Sequence, residues 1–257
     1  MSKSCLGEYS EYEFGKRLAR EIQKATFPPE IGPANTPQAI LLGGQSGAGK
    51  TTLHKVYKDR LGGNVIVING DEYRSSHPRF KKLQMAFGDK SVDHTAPWAG
   101  HMTESLIDRL SRYGYNLIIE GTLRTAEVPM KSAELLRQRG YGVSLALMAV
   151  KPEISLVSCQ IRYEEMRIAG TTPRATDPAH HNKIVDQIVT NLGVLEQSGL
   201  FDSIALFNRG QEQLYPRDGF SGSASDALKN ALFGPWSPEE QRHYGKLKAK
   251  LELLRSR

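Results

Sequence analysis

Residues 44–51 read Gly44-Gln45-Ser46-Gly47-Ala48-Gly49-Lys50-Thr51, which fits Gly-x-x-x-x-Gly-Lys-Thr. The motif follows the apolar run Ala39-Ile40-Leu41-Leu42 and opens a helical pattern over about 50–61 that stops at Gly62. Strand, loop and helix in that order are the setting such a loop requires. Polyphosphate oxygens need several converging N–H donors. The glycines let the backbone curl and approach without a Cβ in the way. The helix that follows turns its free N–H groups and the positive end of its dipole toward the anion. Lys50 supplies a point charge to the β- and γ-phosphates, and the Thr51 hydroxyl can ligate Mg²⁺. Gly44, Gln45, Ser46, Gly47, Ala48, Gly49, Lys50, Thr51 and Thr52 are therefore the candidate ATP (or GTP) site, with Mg²⁺ as companion ion. The loop says nucleotide; it does not say which reaction.

The rest of the chain alternates between short apolar runs and amphipathic stretches. The runs are Ala39–Leu42, Val65–Ile68, Leu117–Ile119, Val143–Val150 and Ile204–Phe207. Several are β-branched and unbroken, as parallel strands buried on both faces are. Helical patterns lie between them at about 97–113, 129–139, 153–168 and 181–198. This predicts an α/β fold of the phosphate-loop kinase type, with a central, mainly parallel β-sheet flanked by helices on both faces. Three segments are expected. Residues 1–36 form an N-terminal helix and a proline-rich linker packed on the core. Residues 37–236 form the kinase domain, and 237–257 a C-terminal helix of the same domain. The first helix carries a Ser10/Glu13 capping box, and the last carries Ser237-Pro238-Glu239-Glu240 followed by the stripe Tyr244, Leu247, Leu251, Leu254.

Hydrophobic residues make up 39% and charged residues 24%, which excludes collagen-like and disordered classes. Two cysteines cannot build a disulfide scaffold, which favours a reducing compartment. The run Val143–Val150 is too short to span a bilayer, and the acidic N-terminus lacks a secretory pattern. A cytoplasmic protein without a membrane partner is expected. The net charge of +6 invites a nucleic-acid reading. Half of the surplus, however, sits in residues 237–257, and no run of five basic residues occurs. No nucleic-acid partner is therefore expected.

The acceptor side rests on fewer signals. Asp71 ends the run at 64–70 and could accept a proton from an attacking hydroxyl; it could equally cap a helix. Glu120 closes the next apolar run and could serve Mg²⁺ through water, or act as a structural hydrogen-bond acceptor. Thr122 and Arg124 extend from the same strand end. Segment 72–97, polar and rich in aromatic residues and proline, reads as a cap over the acceptor. Glu104 points about 200° from Met102 on its helix, which makes it a solvated face residue by pattern alone. Arg162 lies in a helix and Arg174 in a loop; either could stabilise a transferring phosphoryl group or pair on the surface. The adjacent pair His180-His181 has no metal-ligand spacing.

Five ordered motifs together resemble the zeta toxin family, nearest its PezT-type members. They are 42–52 around the phosphate loop, Gly70-Asp71 with Arg74-Ser75-Ser76-His77-Pro78, Glu120-Gly121-Thr122-Leu123-Arg124, Ile161-Arg162-Tyr163-Glu164-Glu165, and Leu232-Phe233-Gly234-Pro235-Trp236-Ser237. The resemblance implies a kinase of UDP-N-acetylglucosamine. It would transfer the γ-phosphate of ATP or GTP to the 3′-hydroxyl of the N-acetylglucosamine part and so block peptidoglycan precursor synthesis. By position it implies Asp71 as base, Lys50 and Thr51 as phosphate and Mg²⁺ groups, and Arg162 and Arg174 as phosphoryl-stabilising arginines. It places Glu104, Thr122 and Arg124 with Asp71 on the amino-sugar side. It also implies an antitoxin partner covering the nucleotide site. A kinase of another small hydroxyl acceptor (a different UDP-sugar, a metabolite or an antibiotic) would use the same phosphate loop, Asp71 and arginines.

Overall fold

The computed structural model describes residues 6–171, 173 and 175–257. The amino-terminal helix α1 (Glu11–Thr26) opens with the expected capping box between Ser10 and Glu13. Strand β1 (Gln38–Gly43) enters the phosphate loop and leads to α2 (Thr51–Arg60). Then come β2 (Ile66–Asn69), the one-turn α3 (Gly70–Tyr73), α4 (Phe80–Phe87), α5 (Ser91–Ser111) and β3 (Leu117–Glu120). The second half runs α6 (Glu127–Gln138), β4 (Gly142–Met148), α7 (Pro152–Ile168), α8 (Pro178–Gln197), β5 (Ser203–Phe207), β6 (Gln213–Tyr215), α9 (Ala224–Phe233) and α10 (Pro238–Arg255).

The strands form one sheet in the order β2-β3-β1-β4-β5-β6. All neighbouring pairs are parallel except β5 with β6. β1 therefore lies inside the sheet, and its side chains alternate between two cores. Ala39 and Leu41 face the core built with α1, α5, α6, α8 and α9. Ile40 and Leu42 face the core built with α2, α7 and α10, where Leu53, Tyr57, Ile154 and Phe207 pack. Helices thus cover both faces, as the unbroken apolar strands predicted.

One local expectation needs correction, and two segments gain detail. The 72–97 segment is filled by α3, two 3₁₀ turns, α4 and the start of α5. Pro97 marked a helix start in the sequence, but it lies inside α5, which begins at Ser91. The segment has few aliphatic residues, so its helices gave little periodicity. They are held instead by Leu83, fully buried, and by the Trp98 indole, which donates to Tyr73 O (3.1 Å) and Ser76 Oγ (3.0 Å). The proline-rich 28–37 stretch is tied to the fold at two points. Pro33 bridges to Tyr115, and Gly32 N donates to Asn64 Oδ1. The short antiparallel β6 and helix α9 carried no signal that was used.

Both terminal helices dock on the body. Phe14 of α1 stacks on His101 at 3.7 Å and meets Trp98 edge-on at 5.3 Å. Leu247, Leu251 and Leu254 of α10 pack with Tyr244 against Val157 and Ile161 of α7. Among the described residues, no helix is long and apolar enough to cross a membrane.

Candidate active site

The phosphate loop leaves the end of β1 and is pinned against α7. Gly47 has φ 76°, and a Cβ there would lie 2.1 Å from Ser155 O and 2.7 Å from Cys159 Sγ. Only glycine combines that dihedral with that closeness. Gln45 is buried and donates to Val150 O (2.8 Å) and Ser155 Oγ (3.3 Å), tying the loop to the turn after β4. His181, fully buried, also reaches Ser155 Oγ at 2.9 Å. It is a packing residue, in line with its poor metal-ligand spacing.

Helix α2 begins at the loop's end without a side-chain cap and without an acidic residue in its first turn. The helices α1, α9 and α10 each close their N-terminus with a capping box. Within that turn Thr52 N and Leu53 N donate to Gly49 O and Lys50 O, and the positive dipole end stays open to an anion. Thr51 is exposed there, while the Thr52 hydroxyl donates back to Gly49 O (2.8 Å).

Lys50 is buried and donates to Gly44 O at 2.8 Å. Its Nζ lies 3.9 Å from Glu120 Oε1. Burial pulls the Lys50 pKa down; Glu120 and then Asp71 oppose that, while Arg162 adds to it. Lys50 therefore senses all three groups, and a polyphosphate at the same place would favour its charged form. Glu120 is placed by strand register, opposite Leu42 of β1 and Asn69 of β2. His54 of α2 holds it from the other side, with Nε2 2.9 Å from Oε2. Sequence reading missed His54. Its signal was its position, one turn after Lys50 on the helix that the loop opens.

Asp71 lies at the carboxyl end of β2, but it is not the helix cap. Asn69 is, accepting from Asp71 N at 3.1 Å. Arg74 Nε donates to Asp71 Oδ1 at 2.9 Å, and Arg74 is itself anchored on Val92 O at 2.6 Å. Behind Asp71, Gly70 packs on α5, where a Cβ would meet Thr103 Oγ1 at 3.1 Å. The next residue of α5, Glu104, is exposed, as its pattern predicted. Thr122 is half-buried and Arg124 exposed, on either side of Leu123. Leu123 has φ 54°, a costly conformation for a residue with a Cβ. Burial over Gly43 and a hydrogen bond from Asn191 Nδ2 to Leu123 O (2.9 Å) hold it there. Arg162 is exposed on α7, and Arg174 lies outside the described residues.

The ends of β1, β2 and β3 thus gather the loop, Asp71 and Glu120 at one edge. Hydroxyl and carboxylate oxygens are the donor types that Mg²⁺ takes, so Thr51 and Glu120 fit that ion in kind.

The zeta toxin family model matches residues 23–219. The chain belongs to the zeta toxin family. It is 45% identical to Toxin PezT of Streptococcus pneumoniae over 235 residues, covering 91% of this chain and 92% of that protein. It is 42% identical to Toxin zeta of Streptococcus pyogenes over 208 residues, 80% of this chain and 72% of that one. A solved structure from the PezAT chromosomal toxin–antitoxin system of S. pneumoniae superposes with a TM-score of 0.88 and 41% identity, covering 98% of this chain and 99% of that one. The AvrRxo1-ORF1:-ORF2 complex with ATP, at 16% identity and a TM-score of 0.58, shares the fold alone. The phosphate-loop kinase fold of this zeta toxin family member is therefore shared with proteins of low sequence identity.

Proposed function

We propose that this zeta toxin family member is the toxin half of a toxin–antitoxin pair. It transfers the γ-phosphate of ATP or GTP to the 3′-hydroxyl of the N-acetylglucosamine part of UDP-N-acetylglucosamine. The observation that carries the reading is that Glu120 lies 3.9 Å from Lys50 and, by strand register, opposite Asn69, two residues before Asp71. A phosphate site and a carboxylate able to accept a hydroxyl proton then lie at the ends of neighbouring strands.

In this reading the backbone N–H groups of 44–52 and Lys50 bind the β- and γ-phosphates. Thr51, with Glu120 through water, holds Mg²⁺, which when bound neutralises phosphate charge. Asp71 takes the hydroxyl proton. The freed oxygen bonds to the γ-phosphorus as the bond to the bridging oxygen breaks, and the nucleoside diphosphate leaves with that electron pair. Arg162 and Arg174 balance charge on the transferring group. Arg74 fixes the orientation of Asp71. Glu104, Thr122 and Arg124 hold the amino-sugar side. Such an acceptor is a cytoplasmic precursor of peptidoglycan, and an antitoxin that covers the nucleotide site restrains the enzyme.

The test is incubation with ATP, Mg²⁺ and a panel of UDP-sugars, with products read by mass. One added phosphate on UDP-N-acetylglucosamine is expected. Gain only on another acceptor would reassign the substrate while keeping the kinase.

A further inference from the structure

The turn between β5 and β6 sends one side chain across the sheet end to the phosphate loop. Arg209 NH2 donates to the carbonyl of Gly47 and, at 2.7 Å, to Ser158 Oγ of α7. Ser158 Oγ in turn donates to Ile154 O at 2.7 Å, so its lone pairs are free to accept. The aliphatic stem and Nε of Arg209 run beside Gly49, at 3.9 Å from the Cβ that position would carry. One guanidinium therefore touches the middle of the loop and fastens it to α7. Ser158 and Arg162 are four residues apart on α7, so they occupy the same helix face one turn apart. Lys50 feels the charge of Arg162 from within the loop.

We infer that Arg209 is a positioning residue that sets the phosphate loop and the Arg162 face of α7 at a fixed separation. The inference rests on the proposed kinase reading and deepens it. Three observations carry it. The contact is made to a carbonyl, so it uses up none of the loop's N–H groups. The guanidinium spans two elements from a third through a single terminal nitrogen, NH2, which meets both acceptors. The loop runs close to α7, where even a Cβ on Gly47 would collide with Ser155 O and Cys159 Sγ.

The experiment measures binding of a fluorescent ATP analogue with Mg²⁺ and no acceptor, alongside steady-state kinetics. Arg209→Ala should weaken nucleotide binding about tenfold, the scale of one charge-assisted hydrogen bond, and leave the acceptor KM unchanged. Arg209→Lys should recover at least half of that loss on a logarithmic scale. Ser158→Ala frees α7 but keeps the contact to Gly47. It should hold nucleotide affinity within about twofold and lower kcat about tenfold. A purely structural role would move melting temperature without this split. Nucleotide affinity within about twofold of wild type in Arg209→Ala overturns the inference. If Arg209→Ala does not fold, an unchanged kcat in Ser158→Ala overturns it instead. Failure of the wild-type protein to bind nucleotide at all would sink the kinase reading and this inference together.

Discussion

His54 Nε2 lies 2.9 Å from Glu120 Oε2, while the other oxygen of that carboxylate is 3.9 Å from Lys50 Nζ. The carboxylate that closes β3 is thus held by the same helix that ends the phosphate loop, and both partners are largely shielded from solvent. Its Oε2 faces His54 and its Oε1 faces Lys50, so rotation of the carboxylate would disturb both contacts.

This geometry makes His54 an orienting group for Glu120. His54→Ala should raise the Mg²⁺ concentration needed for tight nucleotide binding by about tenfold, the lower end of what outer-sphere changes cost. Binding without Mg²⁺ should stay close to wild type. Titration of a fluorescent nucleotide at several Mg²⁺ concentrations reads both. A uniform loss with and without the ion would point to damage of the loop itself.

Asp71 is largely exposed and is anchored by Arg74 rather than by a core. Asp71→Asn keeps the shape and a hydrogen-bond acceptor for Arg74 but removes the base. Phosphoryl transfer should fall by about 10²–10⁴-fold, the usual share of general-base catalysis. Nucleotide affinity should remain near wild type. Turnover close to wild type would remove Asp71 from the chemistry.

Acid sensitivity should come from histidines first. Burial lowers the pKa of His181 and of His77 from the ordinary 6.5. Each binds fewer protons when folded, so the unfolded chain gains protons first as pH falls through that value. Stability contributed by keeping them neutral is present above about 6.5 and is lost below it. The lowered carboxyls of Asp108 and Asp202 work in the same direction, but only near their ordinary value of 3.8 and below. Melting temperature should therefore drop on acidification through pH 6.5, long before those carboxylates titrate. His181→Gln should flatten the slope by at most about 1.4 kcal/mol per pH unit. An unchanged slope would show that His181 is not among the groups responsible.

Trp98 is fully buried, meets Tyr9, Phe14 and His77 edge-on, and bonds the 70–76 segment through its indole N–H. Trp98→Ala should cost about 3–5 kcal/mol in denaturant unfolding. Trp98→Phe restores most of the packing but not the two hydrogen bonds, so it should recover only part of that loss. Full recovery would mean that the bonds to Tyr73 and Ser76 add nothing.

The phosphate loop, five strands and both terminal capping boxes were legible because each depends on local residue chemistry. Gly47, Ser10 with Glu13, and Ser237 with Glu240 need only their neighbours to declare themselves. The cap over β2 was not legible as helix. Its order comes from long-range anchors such as Arg74 on Val92 O and the Trp98 indole, which leave no period in the sequence. Asn69 displaced Asp71 as the cap because the strand stops at Asn69 and the helix starts at once at Gly70, one residue before the run read from the sequence gives out. His54 and Arg209 were invisible for the same reason. Their partners, Glu120 and Gly47, are distant in the chain, and only strand order brings them together.

The interior position of β1 also governs when the site comes into being. Its two neighbours are supplied by residues 117–120 and 142–147, and the Gly47 carbonyl finds its partner only at Arg209. Long loops must close before any of these contacts can form. A chain emerging from the ribosome therefore carries its nucleotide motif well before that motif can become a site. Assembly of the site waits until residues as far along as Arg209 are available, so motif and site are separated in time by the synthesis of 162 residues.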